Sequence, residues 1–269
     1  LCSTLLIRQE SDVMTTRPIG LISAIAEETA MLRGRLNAGA AETHAGVRFQ
    51  PGRLDGVEAV LVETGIGKVN AALVATVLVE RFGVGAYLFT GVAGGLDPNL
   101  GVGDVVIAER LIQHDYGAIV GGRLEPYRPG ALPFGARRAP LAFTPPEPLL
   151  EEARAALADL ALPEMPAAAT GAAPRKPQLR FGTVLTGDQF LACEETRARL
   201  FAEHGALAIE MEGAAVAQVA EAYGRPWLVV RAISDLAGRE SARDFTAFTA
   251  AAAAGAAAVV TRLLPALAR

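Results

Sequence analysis

Short unbroken apolar runs alternate along this chain with longer stretches whose apolar positions recur at helical spacing. The run "RPIGLISAIA" (17–26) ends in small residues and predicts a buried strand over 19–25. "EETAMLRGRL" (27–36) follows with helical spacing. Residues 44–65, "HAGVRFQPGRLDGVEAVLVETG", alternate and carry Asp55-Gly56, a two-residue hairpin signal. "GIGKVNAALVATVLVERFG" (65–83) predicts a long amphipathic helix reached through glycines. "VGAYLFTGVAGGL" (84–96) predicts a strand over 85–89 and then a glycine-rich loop, and "VGDVVIAERLIQHD" (102–115) another strand. Residues 147–160 read as a helix. "LRFGTVLTGDQF" (179–190) predicts a strand over 181–185 that runs into a loop. "LAIEMEGAAVAQVAEAYG" (207–224) predicts a strand over 206–210 and a helix behind it. "RPWLVVRAISDLAG" (225–238) predicts a strand over 227–233 ending in polar residues, and 243–265 form a final helix.

Strand and helix in alternation predict an α/β fold of three αβα layers around a central mixed, mostly parallel twisted sheet. Strands covered on both faces read as continuous apolar runs, as these do. Residues 18–269 are expected to form a single domain, with a flexible insertion around the Pro/Ala/Gly-rich 163–178. Residues 1–17 read as a disordered extension or a misplaced start, Met14 being the better initiator. "FTAAAAAGAAAVV" (248–260) has the look of a membrane span. Its small residues, with Asp244 and Arg262 on either side, predict a packed helix instead.

Composition narrows the chemistry. The 269 residues are 51% hydrophobic and 20% charged, enough for a large core. A net charge of −4 without a basic cluster argues against a nucleic-acid partner. Two distant cysteines, Cys2 and Cys193, give neither a disulfide framework nor a metal spacing, and a reducing, cytoplasmic setting is expected. The three histidines (His44, His114, His204) do not pair at ligand spacing, so no protein-bound metal is expected, and no cofactor is implied.

Polar residues gather at the carboxyl ends of the predicted strands: Glu27 and Glu28, the "TGVAGG" stretch, Thr186 with Asp188 and Phe190, Glu210 with Glu212, and Ser234 with Asp235. Ligands of open α/β sheets bind outside those ends. The convergence predicts a small-molecule site with several carboxylates, one aromatic face and glycine loops, suited to a neutral or cationic polyhydroxylated ligand. Each residue also has a structural reading. "TGIGKVNAA" lacks the G-x-x-x-x-G-K-[ST] pattern and fits helix capping better than phosphate binding. Glu27/Glu28 can stabilise a helix dipole, Asp235 can be an N-cap, His114 a satisfied core residue, and Asp97 and Asp104 turn formers.

The ordered set "GLISAIAEE", "ETGIGKVNAA", "FTGVAGGL", "VGDVV", "TGDQF", "IEMEGAAV" and "VVRAISD" resembles the nucleoside phosphorylase/nucleosidase superfamily, and within it the 5′-methylthioadenosine/S-adenosylhomocysteine nucleosidase family, over residues 18–265 except 121–180. The resemblance implies hydrolysis of the N-glycosidic bond of an adenine thionucleoside, with 5′-deoxyadenosine a further candidate. By match to the family motifs, Asp235 would be the general acid to adenine N7, oriented by Ser234, and Glu28 would activate water. Glu212 would hold the ribose hydroxyls. Met211 would pack on the sugar, Phe190 on adenine, and the Leu191 backbone would meet its edge. Ala24, Ile25, Val92 and Phe245 would complete the substrate pocket. Glu210 and Arg231 are expected as partners behind these residues. The resemblance also implies a homodimer.

Val92 stands where these nucleosidases commonly carry serine or threonine, and Ile25 where they carry methionine. The long 121–180 segment, with "YRPGALPFG" (127–135), leaves the 5′ selectivity open. Phe89 and Val92 offer nothing to phosphate, and Arg33 and Arg35 lie one or two helical turns beyond the strand end, so a hydrolase is favoured over a purine nucleoside phosphorylase. Two other readings stay open: a hydrolase of another purine-like nucleoside such as futalosine, and a non-catalytic nucleoside-binding protein.

Overall fold

The computed structural model describes residues 17–131, 139–165, 167 and 174–268. Twelve strands and six helices are named in it. The first strand, β1 (Ile19–Ser23), is buried throughout and feeds α1 (Ala26–Arg35). Two short strands, β2 (Asn37–Ala38) and β3 (Glu42–His44), precede the hairpin β4 (Val47–Leu54) and β5 (Val57–Glu63), which turns at Asp55-Gly56 with both residues at positive φ. Then come α2 (Lys68–Phe82), β6 (Ala86–Gly95), β7 (Val105–Gln113), a small hairpin β8 (Gly117–Val120) and β9 (Arg123–Pro126), and α3 (Glu147–Leu157). The chain closes with β10 (Leu179–Thr186), α4 (Glu194–His204), β11 (Ala208–Glu210), α5 (Gly213–Ala222), β12 (Trp227–Asp235) and α6 (Ser241–Leu267).

Ten strands share one sheet in the order β11-β10-β7-β12-β6-β1-β5-β4-β2, with β3 on β4. Parallel pairings join β5 to β1, β1 to β6, β6 to β12, and β7 to β10 to β11. The β12–β7 pair and the β2–β3–β4–β5 group are antiparallel, so the sheet is mixed. β11 also pairs antiparallel with β6, which bends the β6-β12-β7-β10-β11 half of the sheet into a closed ring.

The period of two along each strand sorts side chains into two apolar layers. Tyr87, Phe89, Trp227 and Val229 point to the α2/α5 side, where Val74, Leu78, Val216 and Ala220 meet them. Leu88, Leu228 and Val230 point to the other side, against Leu32 of α1, Leu150 of α3 and Val260 and Leu263 of α6. The Ala-rich segment predicted to pack does so. Although 248–267 is long and apolar enough to cross a membrane, Ala252, Ala256, Val259 and Leu263 are buried against the sheet and α3.

Some elements depart from the sequence reading. The glycine-rich loop expected over 90–95 is strand. β6 continues to Gly95, paired with β12 as far as Gly94↔Asp235 and with β11 through Gly95↔Ala208. Its glycines serve close approach, since a Cβ on Gly94 would lie 3.2 Å from both Asp235 Oδ1 and Ala237 Cβ. Helix α4 and strands β2, β3, β8 and β9 are additions. Of the insertion expected around 163–178, residues 166 and 168–173 lie outside the described residues. Met165 and Arg175 pair their backbones across it, and the Arg175 guanidinium bonds the buried Asp104 at 2.7 Å. Asp104 also accepts the Gly101 and Gln178 amides, and Asp97 the Asn99 amide, so both serve turns. The stretch 1–16 is outside the described residues.

Candidate active site

The ends of β1, β6, β10, β11 and β12 surround a cavity of about 340 Å³. Every residue expected to touch a substrate lines it: Ala24, Ile25, Glu28 and Val92 on one wall, Phe190 and Leu191 on another. Met211, Glu212, Ser234 and Asp235 line the cavity too, and Phe245 stands beside Phe190. Glu210 reaches it as well, whereas Arg231 is fully buried behind it. Glu27, His114, Asp188, Asp97 and Asp104 are not among the lining residues.

Glu28 joins two elements. As the third residue of α1 it caps the helix, its Oε2 accepting the Ala24 and Ile25 amides at 2.8 and 3.1 Å. Its Oε1 accepts the Val92 amide of β6 at 2.8 Å. The dipole-stabilising role and the place in the cavity therefore belong to one side chain. Burial raises its pKa, opposed by the charge of Arg231 and by the three amides.

Asp235 ends β12 with its backbone in the sheet and its carboxyl in the cavity. Oδ2 accepts the Ser234 hydroxyl at 3.0 Å and Oδ1 the Ala237 amide at 2.9 Å. Burial raises its pKa against those two donors, so the protonated form persists above the ordinary aspartate range.

Glu212 precedes α5 and accepts the Gly67 amide at 2.8 Å. Gly67 has a φ of 103°, a conformation that suits glycine and aims its amide across the cavity. Burial, followed by the neighbouring Glu210, pushes the Glu212 carboxyl up to about 8, against the pull of Arg231. Glu210 is saturated. It accepts Arg231, the Thr186 hydroxyl, and the amides of Glu212 and Gly213 at 3.0 and 2.7 Å. The expected Glu210–Arg231 partnership is present. The Arg231 guanidinium lies over the Phe89 ring, 4.1 Å from its centroid.

The aromatic wall is Phe190, 49% exposed, met edge-on by Phe245 with ring centroids 5.9 Å apart. The reading from sequence left several contributors unassigned: Gly67, the Thr186 hydroxyl, the apolar residues Ile66 and Ile209, and Thr246. For Gly67 the signal was present in "GIGK", whose glycines position an amide on a carboxylate rather than on a phosphate. Arg33 and Arg35 pair with Glu63 and Asp55 and stay outside the cavity. Among the described residues no group of three His, Cys, Asp or Glu could hold a metal ion.

Gly91 makes this packing possible. A Cβ there would overlap Arg231 Nη1 and lie 2.7 Å from Glu28 Oε1. Gly91→Ala is expected to destabilise the protein by about 1–3 kcal/mol, as overpacking does. A thermal melt against wild type measures it, and an unchanged midpoint would mean that Arg231 can withdraw freely.

Four buried carboxyl groups (Glu28, Glu210, Glu212 and Asp235), an aromatic plate and no cationic side chain among the lining residues, at the carboxyl ends of a mixed sheet, define an α/β protein with a site for a neutral or cationic polyhydroxylated ligand. The chain belongs to the phosphorylase superfamily, whose family model matches residues 18–265. It is 46% identical over 249 residues to a 5′-methylthioadenosine/S-adenosylhomocysteine nucleosidase of Mycobacterium tuberculosis, covering 93% of this chain and 97% of the relative. A solved nucleosidase of that name from Colwellia psychrerythraea, in complex with adenine, superposes with a TM-score of 0.78 at 34% identity, over 94% of this chain and 96% of the other. Futalosine hydrolase of Helicobacter pylori also superposes with a TM-score of 0.78, at 27% identity, over 94% of this chain and 99% of the other.

Proposed function

We propose that this protein hydrolyses the N-glycosidic bond of adenine thionucleosides, 5′-methylthioadenosine and S-adenosylhomocysteine, and of 5′-deoxyadenosine. The observation that carries this reading is the cavity wall itself, four buried carboxyl groups without a lining cation, in a chain whose relatives bear the nucleosidase name. Adenine lies on Phe190 with its edge at the Leu191 backbone. The protonated Asp235, oriented by Ser234, gives its proton to N7, so that the N9–C1′ electron pair leaves with a neutral base. Glu28 takes the proton of a water that attacks C1′, and the products are adenine and the free sugar with its 5′ group unchanged. Glu212 accepts the ribose hydroxyls and faces the positive charge that builds on the ring. Met211 packs on the sugar, and Ala24, Ile25, Val92 and Phe245 keep that side dry.

A phosphorylase would need a cationic clamp for its nucleophile, and Glu28 would repel a phosphate held where the water is needed. Incubation with 5′-methylthioadenosine in phosphate-free buffer is expected to release adenine at an undiminished rate. Release only with added phosphate would overturn the hydrolase reading. Binding without turnover would favour a nucleoside-binding protein. Turnover of futalosine alone would move the substrate to the chemistry named for the Helicobacter pylori neighbour. In the proposed enzyme two copies assemble as a homodimer.

A further inference from the structure

We propose that Glu210 is a positioning residue that takes the direct hydrogen bond of the Arg231 guanidinium and so leaves the Glu212 carboxyl only a longer ion pair with it, an under-compensated charge that the ribosyl cation answers during the reaction. The last clause rests on the hydrolase reading; the first does not. Arg231 Nη2 donates to Glu210 Oε2, while its distance to Glu212 Oε2 is 3.7 Å, beyond a hydrogen bond. Glu210 is held in place by the Thr186 hydroxyl on its other oxygen and by the amides of Glu212 and Gly213. Thr186 in turn accepts the Ala214 amide at 2.9 Å, so three successive amides at the start of α5 are tied to this pair. The guanidinium is fixed from its other side by Phe89 and the close backbone of Gly91.

The charged groups facing Glu212 are Glu210 from β11, Arg231 from β12 and Glu28 from α1. The start of α2 brings only the Gly67 amide. Three carboxyl groups thus surround one guanidinium. Since Glu210 takes the direct bond, Glu212 sees a nearly neutral Glu210–Arg231 pair rather than a counter-ion. The upward displacement of its proton affinity to about 8, led by burial and Glu210, agrees with that arrangement. A site organised this way gives the direct hydrogen bond of its own cation to Glu210 and leaves the carboxylate that must answer the substrate's charge with the longer contact.

The test follows the Glu212 carboxyl directly, by carbon-13 NMR of the full unliganded chain labelled at glutamate, with Glu212→Gln identifying the resonance. Wild type is expected to titrate well above the ordinary glutamate range. Glu210→Gln removes the like charge and frees the guanidinium, and is expected to lower the titration by about 1–3 pH units. Arg231→Met is expected to raise it. The double variant Glu210→Gln/Arg231→Met removes a neutral pair and is expected to return to within about one unit of wild type. If Arg231 were instead the counter-ion of Glu212, wild type would titrate at or below the ordinary range and the double variant would follow Arg231→Met; either result overturns the proposal. Should the Arg231 variants fail to fold, wild type and Glu210→Gln still decide, an unmoved titration in the latter being a refutation. No substrate enters the measurement, so failure of the hydrolase reading is detected separately, in the adenine-release assay.

Discussion

Asp235→Asn is expected to lower kcat for adenine release by about 10²–10⁴-fold, the span typical of a lost general acid. Asparagine is nearly isosteric, and its amide group can still accept the Ala237 amide and meet the Ser234 hydroxyl, so the end of β12 should keep its shape. What it lacks is a transferable proton. A purine anion leaves poorly, so the barrier rises at the bond-breaking step while binding on Phe190 and Leu191 is spared; kcat should fall and KM change little. The pH profile sharpens the test. Because burial raises the Asp235 pKa, its donating form persists above the ordinary aspartate range, and activity is lost as pH rises through that pKa. The alkaline limb seen in wild type should therefore be missing from the variant. Unchanged turnover, or an unchanged alkaline limb, would remove Asp235 from the role.

The sequence revealed the fold where burial is two-sided. The apolar runs 19–22 of β1 and 227–230 of β12 are hidden on both faces, and a run without polar interruption is what such strand segments need. It misled at 90–95, where glycine density suggests a loop. There the glycines are strand residues whose missing side chains admit Arg231, Glu28 and Asp235. Helix α4 escaped notice because its sequence, "EETRARLFAEH", buries only Leu200 and so carries a weak apolar stripe. Within the site, the residues that line the cavity were legible from their motifs at strand ends. The contacts of Gly67 with Glu212 and of Thr186 with Glu210 were not. The first spans 145 residues of chain, and the second passes through a hydroxyl that nothing local distinguishes from a strand-end threonine.

The two glutamates of "AIEMEGAAV" look equivalent in sequence, two residues apart in an apolar run, yet Glu210 is saturated with donors and Glu212 has the Gly67 amide. From that difference, Glu212→Gln is expected to act in opposite directions on catalysis and on stability. For catalysis, the developing ribosyl cation favours the ionised form of Glu212, and losing that charge should cost about 2–4 kcal/mol of transition-state stabilisation, as losing one preorganised electrostatic contact does. This would be read as a fall in kcat/KM for 5′-methylthioadenosine. For stability the sign reverses. The folded protein holds a proton on Glu212 up to about 8, while the unfolded chain releases it at an ordinary glutamate value near 4.5. Between these values the native state binds more protons than the unfolded one, so this group's contribution to stability falls as pH rises through that window. Glutamine keeps the oxygen that accepts the Gly67 amide and has no charge to bury, so it escapes the loss. Melting temperatures of unliganded wild type and variant should be similar near pH 4.5 and diverge in the variant's favour toward pH 8. A variant that is slower but no more stable at pH 8 would mean that ionised Glu212 is already compensated inside the folded site, by the Arg231 guanidinium 3.7 Å away. A site that is costly to hold empty and charged, and whose cost is relieved when a cationic ring arrives, spends native stability on binding the transition state.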